Sequence, residues 1–409
     1  MTTHPAWIPA ADAAALLGVS RTTLYAYVSR GFVRSQASSA SSTRERVYAR
    51  DDLERLRRRS EERRAPDKAA ARALQWGMPI LESSISCIDG EELYYRGLSA
   101  AGLARTRTLE DVAALIWTGR FDWAVPPQPA RAVPPRPALP FVPCAQAMLA
   151  TAAAADPAAF DLRPDSVAAT GLHILRVLTR AATRGDTRDV PVHLALARAW
   201  KAGPRGADLI RAALVLCADH ELNVSSFTAR CVASAGAHPY GAVLAGLAAL
   251  EGPRHGGASA RAESMLEVMR RARPLRAAIS ARLRRGEPID GFGHPLYRGG
   301  DPRAKVLLTM AGQRYRSSAE YRFVAEFARV ASALTGEHPN LDFSLAAVCR
   351  VAGLPAGTAL TIFAIGRTAG WIGHALEQYA TGQLIRPRAK YVGLTPSRSN
   401  DDRRGRVTP

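Results

Sequence analysis

From residue 166 to residue 379 the chain keeps one texture. Ala, Leu and Arg dominate, and glycine or proline punctuates the runs. Helical spacing or composition marks residues 166–182, 190–201, 206–219, 224–236, 239–250, 258–272, 302–315, 319–334, 343–351 and 357–379. The β-branched alternation of strands is nearly absent, and no repeat of fixed period is evident. A body patterned this way is mainly α, with its polar functional candidates at helix ends and in loops. Ahead of it, Ile85 to Gly97 carries a hairpin signal with a turn at Asp89-Gly90. Leu109 to Trp117 reads as a helix, and the proline-rich run from Pro126 to Pro143 as a surface loop.

A length of 409 residues allows two or three domains and a large core. The longest apolar run, Ala242 to Leu250, falls far short of the roughly 18 residues a membrane span needs. Pro5, Pro9 and Asp12 interrupt anything like a secretory signal, so the cytoplasm is the expected compartment. Five cysteines without a CxxC pair are expected to be buried free thiols rather than a disulfide framework or zinc site. The net charge is +19, and the first 68 residues hold 13 Arg or Lys against 8 Asp or Glu, so basicity is spread over the chain. Such a surface suits nucleic acid, nucleotide phosphates or polycarboxylates alike.

Residues 9–64 read as a separate small unit. Ala11 to Leu17 makes a short helix and Gly18-Val19 turns the chain. Ser20 caps a second helix, Arg21 to Arg30, which Gly31 ends. Leu16, Leu17, Val19, Leu24 and Val28 supply the apolar face. Val33 and Val47-Tyr48 flank a Ser-rich loop, the pattern of a two-stranded wing. Asp51 caps a third helix with Leu53 and Leu56 inward and Arg57 to Arg59 near its end; residues 60–74 read as a linker helix or tether. The phrase AADAAALLGVSRTTLYAYVSRG resembles the winged helix-turn-helix of MerR and excisionase-type DNA-binding proteins. The resemblance implies that Arg21, Thr22, Thr23 and Tyr25 face DNA, while Arg30, Arg34, Arg44 and Arg46 meet phosphate. A retained accessory module without a DNA role is the plainer alternative.

The chemistry-bearing residues lie farther on. DGFGHPLYRGGDPRA (Asp290 to Ala304) sets His294 in a glycine-rich loop, followed by Tyr297-Arg298 and an Asp-Pro-Arg turn that ends in Arg303. Gly291 and Gly293 have no Cβ, so the backbone can turn sharply there and approach a ligand. His220 stands at a break between helices, His255 in GPRHGG just before one, and Asp342 at another helix entrance. Arg367 opens GRTAGWIGHALEQY, where His374 is expected to be structural, and Arg386 and Arg388 flank Pro387. ADHELNVSSFTARCVASAG, GPRHGGAS, GFGHPLYRGGDPRA, PNLDF, GRTAGWIGHALEQ and LIRPRAKYVG, in that order, resemble citrate synthases; IDGEELYYRG resembles their N-terminal signature.

That resemblance implies citrate synthase-like large and small helical domains preceded by the small winged helix-turn-helix domain. Residues 1–65 would form the latter, 66–256 and 353–409 the large domain with the tail, and 257–352 the small domain. It implies a homodimer without membrane association, and DNA as a possible further partner through residues 9–64. Its domains would close over oxaloacetate and acyl-CoA in a tricarboxylic acid cycle reaction giving citrate and CoA. Acetyl-CoA would be a co-substrate, with no metal and no other cofactor. On the matching motifs His255, His294 and Asp342 are catalytic. His220, Arg303, Arg367 and Arg386 of the partner subunit bind oxaloacetate, and Ile289, Gly291, Gly293 and Arg298 take CoA.

The residue types suit that chemistry. An aspartate with an ordinary pKa of about 4 is a poor base for a carbon acid, so desolvation has to raise it. A neutral His255, disfavoured as imidazolium beside a helix N-terminus, can donate to the thioester oxygen. His294 can polarise the keto carbonyl, and planar guanidinium forks suit the carboxylates. Several positions depart from the family pattern: Arg254 for Leu, Ser259 for Asn, Pro295-Leu296-Tyr297-Arg298 for Arg-Val-Tyr-Lys, and Phe343-Ser344-Leu345 for Phe-Tyr-Ser. These leave room for 2-methylcitrate synthesis from propionyl-CoA. The reading from another class is a metabolite-sensing, DNA-binding regulator on the same fold.

Overall fold

The computed structural model describes residues 7–38, 45–64, 80–123, 134, 139–185 and 190–394, and holds seventeen helices and six strands among them. The chain divides into two units, Met1–Glu82 and Ser83–Pro409.

In the first unit a tight turn joins α1 (Ala10–Leu17) to α2 (Arg21–Ser29). Ser20 Oγ accepts from the Thr23 amide, satisfying one of the donors a helix start leaves open. The wing has one strand more than expected. β2 (Ser35–Ala37) pairs antiparallel with β3 (Arg46–Ala49), whose other edge takes β1 (Trp7–Pro9). Val33 is a core residue rather than a flank, buried with Ala13, Ala14, Leu24, Tyr48 and Leu53. Leu16 and Leu17 are only half-buried, because the small alanines of α1 face the core. α3 (Arg50–Arg64) starts ahead of Asp51, which is an exposed first-turn acid and not a cap. The helix runs on past Arg57–Arg59 to Arg64. Asp52 is the buried acid. It accepts from the Arg34 amide and Nε, both at 2.9 Å, and from Arg34 Nη2 at 3.1 Å, with Arg55 added, which ties the wing to α3. Arg44 and the expected tether beyond Arg64 lie outside the described residues.

The second unit opens with β4 (Ser86–Asp89), β5 (Glu92–Tyr95) and β6 (Leu98–Ser99), an antiparallel sheet. Asp89 pairs with Glu92, so the turn is Gly90-Glu91, one residue later than the sequence indicates. There follow α4 (Ala100–Thr106), α5 (Leu109–Thr118), α6 (Phe141–Ala155), α7 (Pro164–Thr183), α8 (Val192–Ala199), α9 (Gly203–Cys217), α10 (Val224–Ser234) and α11 (Pro239–Leu250). α17 (Thr358–Thr381) is the axis: α5, α7, α9, α10 and α11 all pack on it, and it is buried almost throughout. Gly370 lets it close on the end of α9, since a Cβ there would lie 2.4 Å from the Ala218 carbonyl oxygen. α12 (Gly257–Arg271), α13 (Leu275–Arg284), α15 (Ala319–Thr335) and α16 (Leu341–Val351) enclose a second apolar core around Phe323, Phe327 and Phe343. α14 (Pro302–Tyr315) and α16 give side chains to both cores.

Three helices escaped the sequence reading: α4, α6 and α13. The end of the expected proline loop is helical, because Pro143 lies in the first turn of α6, where a missing N–H forfeits no bond. Most of that loop lies outside the described residues. Arg367 sits in the middle of α17 rather than at a helix opening. No helix among the described residues is long and apolar enough to cross a membrane.

Candidate active site

The glycine-rich loop is fastened to the entrance of α16 through the backbone. Gly293 N donates to His338 O and Asn340 N to Gly291 O, both at 2.8 Å, and Asn340 Nδ2 donates to Gly293 O at 3.0 Å. Gly291 has a φ of 80°, and a Cβ there would lie 2.7 Å from Phe343 N, so glycine alone fits. Asn340, not Asp342, caps α16: its Oδ1 accepts from the amides of Asp342 at 3.0 Å and Phe343 at 3.4 Å. The Asp342 carboxyl is engaged elsewhere, its Oδ1 accepting from Ser259 Oγ at 2.5 Å. Burial pushes this carboxyl above its ordinary value, against the opposing pull of Ser259 and Arg303.

Asp301, which reads as a turn residue, is the hub. It is fully buried, and its Oδ1 accepts from Arg303 N at 3.0 Å and Nε at 2.9 Å. Its Oδ2 accepts from Arg303 Nη2 at 2.8 Å and from Leu341 N at 3.0 Å. Burial opposes both charges, yet the pair prevails: Asp301 is held below its ordinary value and Arg303 above its own. The fork of Arg303 that the sequence assigns to a substrate carboxylate is thus engaged with Asp301, and Nη1 is the nitrogen left to a ligand.

His220 Nε2 and Tyr297 Oη lie 2.9 Å apart, and the His294 ring centroid is 5.2 Å from that of His220 and 4.8 Å from that of Tyr297. Burial, with Arg303 and Arg367 adding repulsion, lowers His220 well below its ordinary value. Burial and Arg303 bring His294 to about 4. Leu296 N donates to His294 Nδ1 at 3.2 Å, so the neutral ring carries its hydrogen on Nε2. His255 meets Ser225 Oγ through Nε2 at 2.9 Å and stands edge-on to Phe363; burial and Arg367 bring it to about 4. Ser225 Oγ is also 2.8 Å from Asn223 Oδ1. With its one proton toward Asn223, His255 carries hydrogen on Nε2. With the proton turned to the ring, His255 carries it on Nδ1 and can donate to a ligand.

Arg367 donates from Nε to Cys217 O at 2.7 Å and lies 4.7 Å from the Phe363 ring centroid. Its Nη1 is buried and has no hydrogen-bond partner among the described residues. Asp219 accepts from His374 Nε2 at 3.0 Å and from Ser86 Oγ, which fixes the segment leading into His220 and gives His374 the structural place expected for it. Among the described residues no group of three or more His, Cys, Asp or Glu could hold a metal ion.

The structure therefore gathers six expected residues into one electrostatic neighbourhood. Arg303 acts on His220, His294 and Asp342, and Arg367 acts on His220 and His255. Arg386 is exposed beyond α17, with no hydrogen bond or ion pair to this cluster among the described residues. Of the expected CoA set, Ile289 is buried in the second core, and backbone groups of Gly291 and Gly293 are committed to the α16 entrance. Arg298 is exposed. The roles of Asp301, Asn340, Ser225 and Ser259 do not follow from the sequence alone; of the four, Asp301 carries the clearest local signal, an Asp directly before the run 302–315, and Asn340 lies three residues before the run 343–351. In the first unit Arg21 and Thr22 are exposed and Tyr25 is 53% exposed, whereas the Thr23 hydroxyl, 2.9 Å from Ser20 Oγ, is committed to the helix cap.

The family model described as "Citrate synthase, C-terminal domain" matches residues 73–129 and 144–388, and "MerR HTH family regulatory protein" matches residues 9–60. A "Putative citrate synthase 2" of Mycobacterium tuberculosis is 41% identical over 199 residues, 47% of this chain and 53% of that one. A "2-methylcitrate synthase" of Shewanella oneidensis is 34% identical over 187 residues, 45% of this chain and 50% of that one. The chain thus spans about half the length of these curated relatives. The crystal structure of citrate synthase from Thermotoga maritima superposes with a TM-score of 0.62 at 25% identity, covering 81% of this chain and 98% of that one. With motif order, helical architecture and a family match over most of its length in agreement, the chain belongs to the citrate synthase family.

Proposed function

We propose that the protein is a citrate synthase-type acyltransferase, condensing acetyl-CoA with oxaloacetate and hydrolysing the thioester to citrate and CoA. The observation that carries this reading is Arg367 Nη1. A buried guanidinium N–H without a partner is costly, and a ligand carboxylate beside the neutral imidazoles of His220 and His294 would satisfy it. Arg303 Nη1 would meet a carboxylate as well. Asp342, raised by burial, would take a proton from the acyl methyl group. His255 in its Nδ1–H form would stabilise the enolate oxygen. As the enolate carbon bonds to the keto carbon, His294 Nε2–H would donate to the developing alkoxide. Water then cleaves the thioester, releasing CoA. Residues 257–352 would form the small domain that closes over the substrates, Arg298 would meet a CoA phosphate, and in a homodimer Arg386 of the partner subunit would complete the keto-acid site.

Two alternatives have specific support. The likeness to a 2-methylcitrate synthase favours testing propionyl-CoA. The MerR match and the exposed Arg21 and Tyr25 favour testing a regulator that senses the same ligands. Thiol release with each acyl-CoA and oxaloacetate separates them: no CoA release from either donor would remove the enzyme reading. Asp342→Asn should cut turnover by roughly a thousandfold while calorimetry still detects oxaloacetate; turnover at the parent rate would refute the base assignment.

A further inference from the structure

We propose that Ser259 positions Asp342 for proton abstraction: from the first turn of α12 it holds Oδ1 through a hydrogen bond and leaves Oδ2 to do the chemistry. This rests on the reading of Asp342 as the base. Ser259 is 1% exposed, and its hydroxyl reaches Asp342 Oδ1 across the meeting of two helix starts.

The charged groups on the elements packed against α16 do not supply that hydrogen bond. Arg261, on α12, spends Nε on Asp290 at 2.9 Å and Nη1 on the Pro253 carbonyl. Asp301 and Arg303, at the start of α14, are locked together. Glu320 of α15 pairs with Arg270 and Arg350. Arg367 of α17 bonds the Cys217 carbonyl and acts on His255 and His220, both neutral, as is His294. Among the described residues Ser259 is the side-chain donor to Asp342, and Oδ2 accepts no hydrogen bond.

One hydroxyl can donate to only one carboxylate oxygen. It fixes the rotamer and weakens the basicity of Oδ1, while Oδ2 keeps its lone pairs for the substrate proton. The same bond favours the ionised carboxylate and so opposes burial, which favours the acid. Ser259 keeps its own proton throughout. The proton taken from the substrate goes to Asp342, and Ser259 is a positioning residue.

The test compares S259A, which deletes the donor, with S259T, which keeps it, in the full chain. Two quantities are read: the acid limb of kcat/KM against pH, and the 13C titration of the Asp342 carboxyl, identified by its loss in D342N. S259A should move both midpoints upward by about one pH unit, a tenfold loss of kcat/KM below the limb. Its effect should fall on kcat, with KM for oxaloacetate held. S259T should keep the parent limb. The proposal is overturned if the Asp342 carboxyl titrates identically in S259A and the parent, or if S259A and S259T fail alike, which would mark a packing role. The carboxyl titration needs no turnover. A parent protein inactive with every acyl-CoA would therefore sink the enzyme reading, while the contact between Ser259 and Asp342 is still decided.

Discussion

Asp52 and Asp301 are gripped alike in two unrelated parts of the chain. Each accepts from the backbone amide and the forked guanidinium of a single arginine, Arg34 in one case and Arg303 in the other. The Arg34 side chain is 61% exposed and that of Arg303 only 5%. Asp52 is buried as Asp301 is, but the Arg34 guanidinium lies at the surface, where water and salt screen it and its outer face stays open to a phosphate. In the interior, each charge depends on the other to remain charged. The same chemical unit is a fastener in the first unit, where it ties the wing to α3. In the second it sets the electrostatics of a site, because Arg303 acts on His220, His294 and Asp342.

Deleting the arginine should separate the two pairs most widely. Arg303→Ala strands a buried carboxylate and should cost about 3–5 kcal/mol in urea unfolding; on the proposed function it should also abolish oxaloacetate binding. Arg34→Ala leaves a second guanidinium, Arg55, on Asp52 and should cost much less. Equal losses would abolish the distinction. A smaller contrast should appear on acidification. Asp52 and Asp301 are both held low, so the stability they contribute is present above the ordinary carboxylate value of 3.8 and is lost only as pH falls below it. His255 and His294 are neutral in the fold down to about 4, whereas an unfolded chain protonates them below 6.5. The second unit should therefore begin to weaken below about pH 6.5 and the first only below about pH 4. Peptide-resolved hydrogen exchange, corrected for intrinsic rates, reads each unit separately, and simultaneous weakening would count against the assignment. The smallest effect concerns DNA. If the first unit binds it, Arg34→Ala should reduce the slope of log affinity against log salt by about one; an unchanged slope would place Arg34 outside the interface.

The sequence was most informative where a signal is local. Long periodic helices such as α14 and α15 were visible because three-and-four spacing is enough to define them. α4 is short, α6 begins among prolines, and α13 follows α12 after a brief break, so none announced itself. His220, His255, His294, Asp342, Arg303 and Arg367 were legible because each stands in a distinctive motif. Their partners were not. Asp301 bonds the Leu341 amide and Ser259 bonds Asp342 across long stretches of chain, and nothing near either residue encodes the other. At the entrance of α16 the cap is supplied by Asn340 and not by the neighbouring catalytic candidate Asp342. That capping leaves the carboxyl for chemistry.

The bonds joining Gly291 and Gly293 to His338 and Asn340 form a seam, and everything between them, α14 and α15 included, hangs from it as a closed ring of polypeptide. A ring shut at its base can lengthen at its far side without moving its clasp. The exposed bend at Arg316 and Ser317, between the two helices, is therefore where this chain can accept a graft such as an epitope, a fluorophore or an extra module, with the separation of His294 from Asp342 still governed by the seam.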